Sequence, residues 1–444
     1  MAAILLASCA SKSRVTGPPQ FLDTSNMLSS VGCETMPVIE FEHSLKGPGV
    51  RRVWVHGDGF PTGSGEALAQ DTGVLFAQLV RSPPFFATNI PTAAVRHVPS
   101  SDVFISDRYT ERRTAFALKY NGREAECWFD NTAEAVRRVG CAALSAEAGD
   151  MTLVVALVKV PTGAGPGCTI GAGTSNPVTI VTHSSDKDVL VHEAGHAFAG
   201  LYDEIDGQRS FSGKLDRSDR NCATDVKGLP WHVEAGTKLP TTVGPGGSGP
   251  IGAYPGCGGF KPTTQLYHPE PQCLMGSDRT KPFGAVCFAH VARALVTPGT
   301  TPTDSKYTRL LFSVVRGSPA LSFIAARETF ARSNTPPINV RFAARVDVGP
   351  KHISIPIAGD PFLARAYQSS QRRHSTLELS KAAVIVEVPL PLSVLRASQL
   401  NVTLFERVSD AVPADDLSLP AGEPPPDSAW RVTGRSLDVL AAYR

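Results

Sequence analysis

Two histidines and a glutamate have the spacing of a metal-dependent hydrolase site. His192, Glu193 and His196 stand in the order His-Glu-x-x-His. Residues four apart lie on the same face of a helix, so both histidines can offer an imidazole nitrogen to one metal ion. Glu193 is rotated around the helix axis, and its carboxylate is expected to reach a water at the metal. The pattern therefore predicts a zinc site with an open position and Glu193 as general base.

The surrounding sequence predicts a strand, a helix and a sharp helix end. The β-branched run Val178–Val181 is typical of a strand. Ser184–Asp186 offers helix-capping side chains, and Asp188 is then expected in the first turn. Gly200 predicts the helix end, because glycine adopts the left-handed conformation without strain. The alternative is an exposed helix that carries two solvated histidines, and this context argues against it.

A third metal ligand is expected in the turn that follows Gly200. The spacing Gly-x-x-ligand resembles that of metzincin zinc peptidases, shifted by one residue because Ala199 occupies their glycine position. It points to Asp203, through a carboxylate oxygen at about 2.0–2.2 Å from the metal. Glu204 is the alternative ligand. If the turn has no function, Asp203 and Glu204 are simply exposed acidic residues.

The motif and its turn resemble the IgA-specific metallopeptidase family, a metzincin-like group of secreted bacterial zinc peptidases. Ala199-Gly200 departs from the Gly-Gly pair that is usual in this family. The segment 159–171 also departs from the family's Gly-rich pattern. The resemblance extends over about residues 45–297, roughly half of the chain. Its further segments are 53–60, 75–85, 221–231 and 267–275, the last followed by Phe283 and Cys287.

The resemblance implies roles for residues outside the helix. Met275 would be the Met-turn residue, which packs beneath the zinc ligands and takes no part in the chemistry. An ordinary buried methionine predicts the same burial. A peptide substrate would lie antiparallel to the edge strand of the sheet, which is expected after Leu157. Tyr202 and Tyr267 are guesses for a group that stabilises the oxyanion.

Composition is typical of a globular enzyme with two or three domains. The chain has 444 residues, 42% of them hydrophobic and 19% charged, and a net charge of +2. Such a chain can bury a sizeable core. The balanced charge and the lack of a basic stripe argue against nucleic acid as a partner and leave a protein or peptide substrate. No run of residues approaches the ~18–20 apolar residues of a membrane span.

Hydrophobic patterning predicts an α+β fold in two parts. Residues 35–297 are expected to form a metzincin-like zinc peptidase domain, a mixed twisted sheet with the active-site helix. Its predicted strands are 53–56, 103–106 and 153–160, and its predicted helices are 64–80, 130–147 and 283–296. A Thr/Pro-rich linker is predicted at 298–305. Residues 306–444 are expected to form an all-β sandwich. Its predicted strands are 310–315, 321–325, 340–346, 353–357, 384–388 and 402–405, and the basic cluster 372–374 is expected to be a solvated loop.

The first 34 residues are interpreted as a signal and linker. Leu6-Ala7-Ser8-Cys9 fits a bacterial lipobox, in which Cys9 would be acylated and would provide the only membrane attachment. The short stretch before Cys9 leaves two explanations, a start further upstream or an accidental match. The other eight cysteines are an even number, as an oxidising envelope compartment favours, and Cys127–Cys141 and Cys273–Cys287 are pairs that could close.

The predicted activity is hydrolysis of peptide bonds by a zinc-dependent endopeptidase of the bacterial cell envelope. One catalytic Zn²⁺ is expected, held by His192, His196 and Asp203, with Glu193 as the base. Two alternatives stay open. One is a non-proteolytic zinc amidase or esterase, and the other is a surface adhesin with a vestigial metal site. The intact Glu193 argues against the adhesin, because a binding protein has no need of a base.

Overall fold

The computed structural model describes stretches from both halves of the chain. They are residues 30–31, 40–41, 51–58, 65–82, 92–97, 118–120, 125–129, 140–141, 144, 154–158, 167–170, 178–182, 188–205, 221–224, 231, 251–258, 266–276, 281–296, 300–333, 340–357, 360–368, 373–408, 419–421, 424 and 428–443. Within them the fold combines helix and sheet and is mostly sheet, which confirms the α+β class. No helix in these stretches is long and apolar enough to cross a membrane.

The secondary-structure elements are numbered in chain order. The helices are α1 (Gly65–Arg81), α2 (Val189–Ala199), α3 (Ala285–Val296) and α4 (Leu392–Ala397), with a 3-10 turn at Ala441–Tyr443. The strands are β1 (Ser30–Val31), β2 (Glu40–Phe41), β3 (Arg51–Asp58), β4 (Thr92–His97), β5 (Leu118–Tyr120), β6 (Ala125–Phe129), β7 (Val154–Val158), β8 (Gly167–Ile170), β9 (Val178–Thr182), β10 (Tyr254–Pro255), β11 (Tyr267–His268), β12 (Thr300–Val315), β13 (Leu321–Ser333), β14 (Phe342–Val348), β15 (Lys351–Ile357), β16 (Leu363–Gln368), β17 (Arg373–Glu378), β18 (Lys381–Val388), β19 (Leu400–Arg407) and β20 (Trp430–Ser436).

An eight-stranded mixed sheet supports the motif helix. Its strand order is β17-β16-β8-β9-β7-β3-β4-β2. The four strands β9, β7, β3 and β4 are parallel to one another, and β8 runs antiparallel to β9. The sequences VVALV in β7 and VTIVT in β9 are nearly continuous apolar or β-branched runs, as central parallel strands require. Helix α2 follows β9 and packs against β8 and β9.

A hydrophobic core joins this helix to its neighbours. It contains Leu79 of α1, Leu190 of α2 and Val291 of α3, each at most 3% exposed. Burial of one such side chain contributes about 1.5–3 kcal/mol. The core also contains the Met275 side chain, which comes from the turn before α3. The motif helix is therefore fixed on the sheet side and on the helix side.

Two four-stranded antiparallel sheets in the C-terminal half share a second core. Their strand orders are β1-β13-β12-β18 and β15-β14-β19-β20. The core contains Phe312 from the first sheet and Phe342 from the second, both fully buried. Arg309 is buried as well. It lies opposite Glu387 of β18 in the strand register, and its Nε lies 3.0 Å from Glu387 Oε1. That pairing offsets the cost of burying the guanidinium.

Strand pairing crosses the boundary expected near residue 297. β16 and β17 come from the C-terminal half but extend the eight-stranded sheet at β8. Conversely, β1 of the N-terminal segment pairs with β13. Strand β12 begins at Thr300, within the Thr/Pro-rich segment that the composition predicts to be a linker. The halves of the chain are thus joined by hydrogen-bonded strands as well as by covalent continuity.

Other predicted elements agree in part with the structure. Helix α1 and strands β3 and β7 match their predictions to within a few residues, and α3 begins two residues later than predicted. The predicted strand 103–106 and most of the predicted helix 130–147 lie outside the described residues. The prediction of a solvated loop at 372–374 is wrong for Arg373 and His374, which begin β17.

Candidate metal centre

Three side-chain atoms that can bind a metal ion converge beside α2, two from the helix and one from the turn that follows it. The Nε2 atoms of His192 and His196 lie 3.1 Å apart, and Asp203 Oδ1 lies 3.1 Å from the first and 3.3 Å from the second. A tetrahedral zinc ion with ligands at about 2.0–2.1 Å requires ligand atoms about 3.3 Å apart. The triangle therefore has the size of one face of such a site. Glu193 forms a second combination with the two histidines, because ligand atoms of His192, Glu193 and His196 all lie within 4.8 Å of one another.

Both imidazole rings are oriented by backbone carbonyls. His192 Nδ1 lies 2.8 Å from the carbonyl oxygen of Leu274, and His196 Nδ1 lies 2.6 Å from that of Leu201. A hydrogen on Nδ1 can then be donated to each carbonyl, which leaves Nε2 with its lone pair. Such bonds fix the tautomer and the ring orientation of metal-binding histidines. Both Nε2 lone pairs can therefore be donated to one cation.

The turn that carries Asp203 is shaped by Gly200 and Asn221. Gly200 has φ +62°, and its N–H donates to the His196 carbonyl at 3.0 Å, so the helix ends in the predicted left-handed cap. Asn221 then holds Tyr202 from both sides: its Oδ1 accepts the Tyr202 N–H and its Nδ2 donates to the Tyr202 carbonyl, each at 2.8 Å. Asp203 is thereby turned back towards the histidines.

Asp188 occupies a different place from the predicted one. It is the residue before α2 rather than a member of its first turn, and its carbonyl accepts the His192 N–H at 3.0 Å. The predicted capping residues 184–186 lie outside the described part of the chain.

Glu193 is positioned by strand β8. Thr169 Oγ1 donates a hydrogen bond to Glu193 Oε2 at 2.7 Å, and both side chains are fully buried. Gly167 lies on the same strand, where an added Cβ would overlap Val189 and come within 2.8 Å of Glu193 Oε1. Glycine therefore allows the β8 backbone to approach the helix at the carboxylate. Thr169 and Gly167 belong to no motif, so the sequence did not identify them.

If Glu193 is the general base that the sequence predicts, replacement of Thr169 by valine is expected to lower hydrolysis about 10- to 100-fold, because a hydrogen bond to a charged group is worth about 1.5–3 kcal/mol. Zinc content should be unchanged, since the Thr169 hydroxyl bonds to Glu193, which is predicted to be the base and not a ligand. The measurement is kcat/KM on a peptide substrate together with the bound metal per chain. Thr169→Ser, which keeps the hydroxyl, is the matched control and should retain most of the activity.

Met275 packs against the helix between the two histidines. An added Cβ at Gly195 would lie 3.0 Å from Met275 Sδ and 2.8 Å from the ring of Phe283. Met275 is fully buried, and its carbonyl accepts the Glu204 N–H at 2.8 Å. The turn at 273–276 thus packs under the helix and also orients His192 through Leu274. This placement agrees with the role that the resemblance implies for Met275, although an ordinary core methionine would also be buried.

A second group of buried side chains lies behind the Asp203 turn. Glu204, Cys273 and Cys287 are close enough together to hold a metal ion. Cys287 Sγ donates to Glu204 Oε1 at 3.0 Å, and His268 Nδ1 lies 3.6 Å from Glu204 Oε2. Both cysteines are free thiols, so Cys273 and Cys287, a pair that the sequence allowed to close, form no disulfide. Burial raises the pKa of both thiols, that of Cys287 well above its usual value.

Glu270 caps the N-terminus of α3 beside this group. Its Oε1 accepts the Ala285 N–H at 2.7 Å, and an added Cβ at Gly284 would overlap the carboxylate. Burial raises the pKa of Glu270 from 4.5 to about 7, although its hydrogen bonds to the helix N–H groups act in the opposite direction. Between these two values the folded chain retains a proton that the unfolded chain has lost, so stability falls as pH rises.

Glu270→Gln should flatten this pH dependence, because glutamine still accepts the Ala285 N–H but does not titrate. The melting temperature of the variant minus that of the wild type is expected to increase from about pH 5 to about pH 8. Thermal unfolding across this range tests the prediction, with the exposed Glu66→Gln in α1 as the matched control. A constant difference in melting temperature would show that Glu270 has an ordinary pKa.

The remaining predicted residues lie apart from the metal ligands or outside the described stretches. The Tyr202 ring packs against the Cys222–Cys257 disulfide, and Tyr267 lies in the short β11 hairpin strand. Cys141 and Cys168 also take part in disulfides. Cys9 lies outside the described residues, as does the side chain of Cys127. Asn221 falls in a segment that the sequence singled out, but its clamp on the turn was not predicted.

Comparison of the sequence with protein-family models finds no match, and comparison with curated proteins finds no significant match.

Proposed function

We propose that this protein is a zinc-dependent endopeptidase. The observation that carries the proposal is the triangle formed by His192 Nε2, His196 Nε2 and Asp203 Oδ1, with sides of 3.1–3.3 Å. Two neutral imidazoles and one carboxylate are a ligand set that catalytic zinc sites use, with the fourth position left to water or substrate. Glu204 is not part of this triangle, because its Oε1 is held by Asn221 and Cys287.

The donor set fits zinc better than the harder divalent cations. Imidazole nitrogen suits zinc and other first-row transition metals, whereas magnesium and calcium prefer oxygen ligands throughout. Each histidine also has the Nδ1 partner that zinc-binding imidazoles usually have. His192, His196 and Asp203 would therefore hold the ion, which supplies a Lewis acid for the scissile carbonyl and acidifies water.

Glu193 has the position and the support that a general base requires. It follows His192 directly, and its carboxylate is held by the Thr169 hydroxyl. We assign to it the proton of the attacking water, which it accepts and then delivers to the leaving amine. Thr169 orients the carboxylate through its hydrogen bond to Oε2. An amide is the expected substrate class because its leaving amine must be protonated, and within that class we propose a peptide.

The fold and the location of the protein belong to the same proposal. The mixed sheet with its antiparallel strand β8 beside α2 supports a metzincin-like peptidase unit of the IgA-specific metallopeptidase type. The two antiparallel sheets with a shared core support a C-terminal β-sandwich. The disulfide Cys222–Cys257 supports an oxidising compartment, for which we propose the bacterial cell envelope, with a lipid anchor at Cys9.

Metal analysis combined with cleavage-site profiling tests the function. The purified protein should contain one zinc per chain and should cleave casein or a peptide library, and chelation followed by zinc addition should remove and restore the activity. Ester and non-peptide amide substrates assayed in parallel separate a peptidase from another zinc hydrolase. Zinc-loaded protein that hydrolyses esters but no peptide would overturn the proposal.

A further inference from the structure

The resemblance predicts that a peptide substrate pairs with an edge strand beside α2. The strand at that place, β8, is paired on both sides and is therefore not an edge of the sheet. β8 pairs with β9 on one side and with β16 on the other, both antiparallel. The β16 pairs are Ala364 with Ile170, Arg365 with Thr169, Ala366 with Cys168 and Tyr367 with Gly167. A strand with two neighbours has no free row of N–H and C=O groups for a third. An extended peptide can therefore add to β8 only where β16 now lies.

The same edge lies directly beside the proposed base. On β8, Thr169 donates a hydrogen bond to Glu193, and a Cβ added at Gly167 would come within 2.8 Å of its carboxylate. Their register partners on β16 are Arg365 and Tyr367. A peptide paired with β8 would pass Glu193 at this position, and β16 has the antiparallel direction expected of such a peptide. β16 thus occupies the backbone positions of a substrate strand.

The hairpin formed by β16 and β17 is anchored in the second core. Phe362, just before β16, is fully buried in that core, and Leu379, just after β17, is also buried. The Leu379 N–H donates to the Phe362 carbonyl at 2.7 Å, so the base of the hairpin is closed. The strands pair without a register shift from Leu363–Glu378 to Gln368–Arg373. The base can therefore stay fixed while β16 leaves the edge of β8.

The side chains of the proposed metal centre are buried. His192, Glu193, His196 and Asp203 are each at most 1% exposed. A hydrolase must admit both water and substrate to these side chains. The burial of these four side chains accords with a resting state in which substrate is excluded, and the strand pairing carries the inference.

We propose that β16 is an intramolecular competitor of the peptide substrate, and that catalysis requires it to leave the edge of β8. The inference rests on the proposed peptidase function. A substrate that binds only the open form shows an apparent affinity reduced by the open fraction. The C-terminal half of the chain would then control access to a site that it does not itself contain.

A reversible disulfide between the two strands tests the proposal. Ile170→Cys and Ala364→Cys together place cysteines at directly opposite positions, where the usual cross-strand Cα separation of about 4.5–5.5 Å suits a disulfide. Neither position is one of the proposed ligands or the base. The oxidised, zinc-loaded full chain should cleave casein at least about tenfold more slowly than the same chain reduced with TCEP. The wild type taken through the same oxidation and reduction is the control.

A second variant should have the opposite effect. Proline at Ala366, in the middle of the β8–β16 pairing, removes a backbone N–H and disfavours an internal strand position. Ala366→Pro should raise kcat/KM by up to about tenfold if β16 covers the edge nine-tenths of the time. Hydrogen exchange should show loss of protection in β16, β17 and β8 only, with the two sheets of the second core unchanged.

The outcomes separate this inference from the proposed function. Slower cleavage by the locked form and faster cleavage by Ala366→Pro support the competitor role. Equal cleavage by the oxidised and reduced forms overturns it and leaves the peptidase proposal intact. If every form, including Ala366→Pro, binds zinc but cleaves no peptide, the peptidase proposal is wrong and the competitor proposal is wrong with it.

Discussion

Glu193→Gln is expected to reduce peptide hydrolysis by about 10³-fold or more while zinc stays bound at one ion per chain. Loss of a general base typically costs about 10²–10⁴-fold in rate. Glutamine has nearly the same shape and can still accept the Thr169 hydroxyl hydrogen through its amide oxygen. The buried surroundings of the residue are therefore preserved, and only the ability to take a proton is removed.

The measurement pairs kcat/KM on a peptide with metal analysis of the same sample. Glu66→Gln, the same change at an exposed position of α1, is the matched control and should behave as the wild type. Loss of zinc from Glu193→Gln would show that Glu193 is a ligand. Full activity with zinc bound would show that another group accepts the proton.

Asp203→Ala is expected to weaken zinc binding about 10²- to 10³-fold, more than any other single change near the turn. Structural zinc sites bind with about 10–16 kcal/mol, so one ligand of four accounts for roughly 3 kcal/mol. Asp203 Oδ1 is the oxygen that completes the triangle with both imidazoles. Its removal leaves two histidines that cannot hold the ion alone at low zinc concentration.

Glu204→Ala provides the comparison at the neighbouring position. Its carboxylate contacts Asn221, Cys287 and His268 rather than the triangle, so its loss disturbs only the support of the turn. Changes of this kind typically cost about 10–100-fold in metal affinity. Zinc dissociation constants from competition with a chelator rank the two variants. A larger effect at Glu204 than at Asp203 would exchange their roles.

The sequence predicts the motif helix and its end well because local rules determine both. Residues four apart place His192 and His196 on one face wherever a helix forms, and Gly200 marks the position where the chain turns left-handed. Asp203 was predicted from the resemblance of its spacing after that glycine to the metzincin pattern, with Glu204 as the alternative. The contacts of Thr169 and Asn221 do not follow, because they depend on which strand and which loop fold against the helix.

The pairing of strands from one half of the chain with strands of the other half could not be predicted from hydrophobic patterns. Alternation in a strand indicates which face is buried, but it does not name the neighbouring strand. β16 and β17 were not predicted at all, and the linker composition at 300–305 hid the start of β12. Thr300 pairs with Ser333 on β13, so long-range pairing overrides a composition that favours turns.

The two buried thiols allow opening of the candidate metal centre to be measured without a substrate. Cys273 precedes Met275 in the turn under α2, and Cys287 lies in α3 against Glu204, and neither sulfur is open to solvent. An alkylating reagent can reach them only when this region opens, so the labelling rate is the intrinsic rate multiplied by the open fraction. The rate of labelling at each of these two cysteines, measured by peptide mapping, therefore reports how often the turn at 273–276 and helix α3 open locally. If zinc binding stabilises the closed form of this region, the labelling rate of both cysteines should fall by the factor with which zinc favours that form.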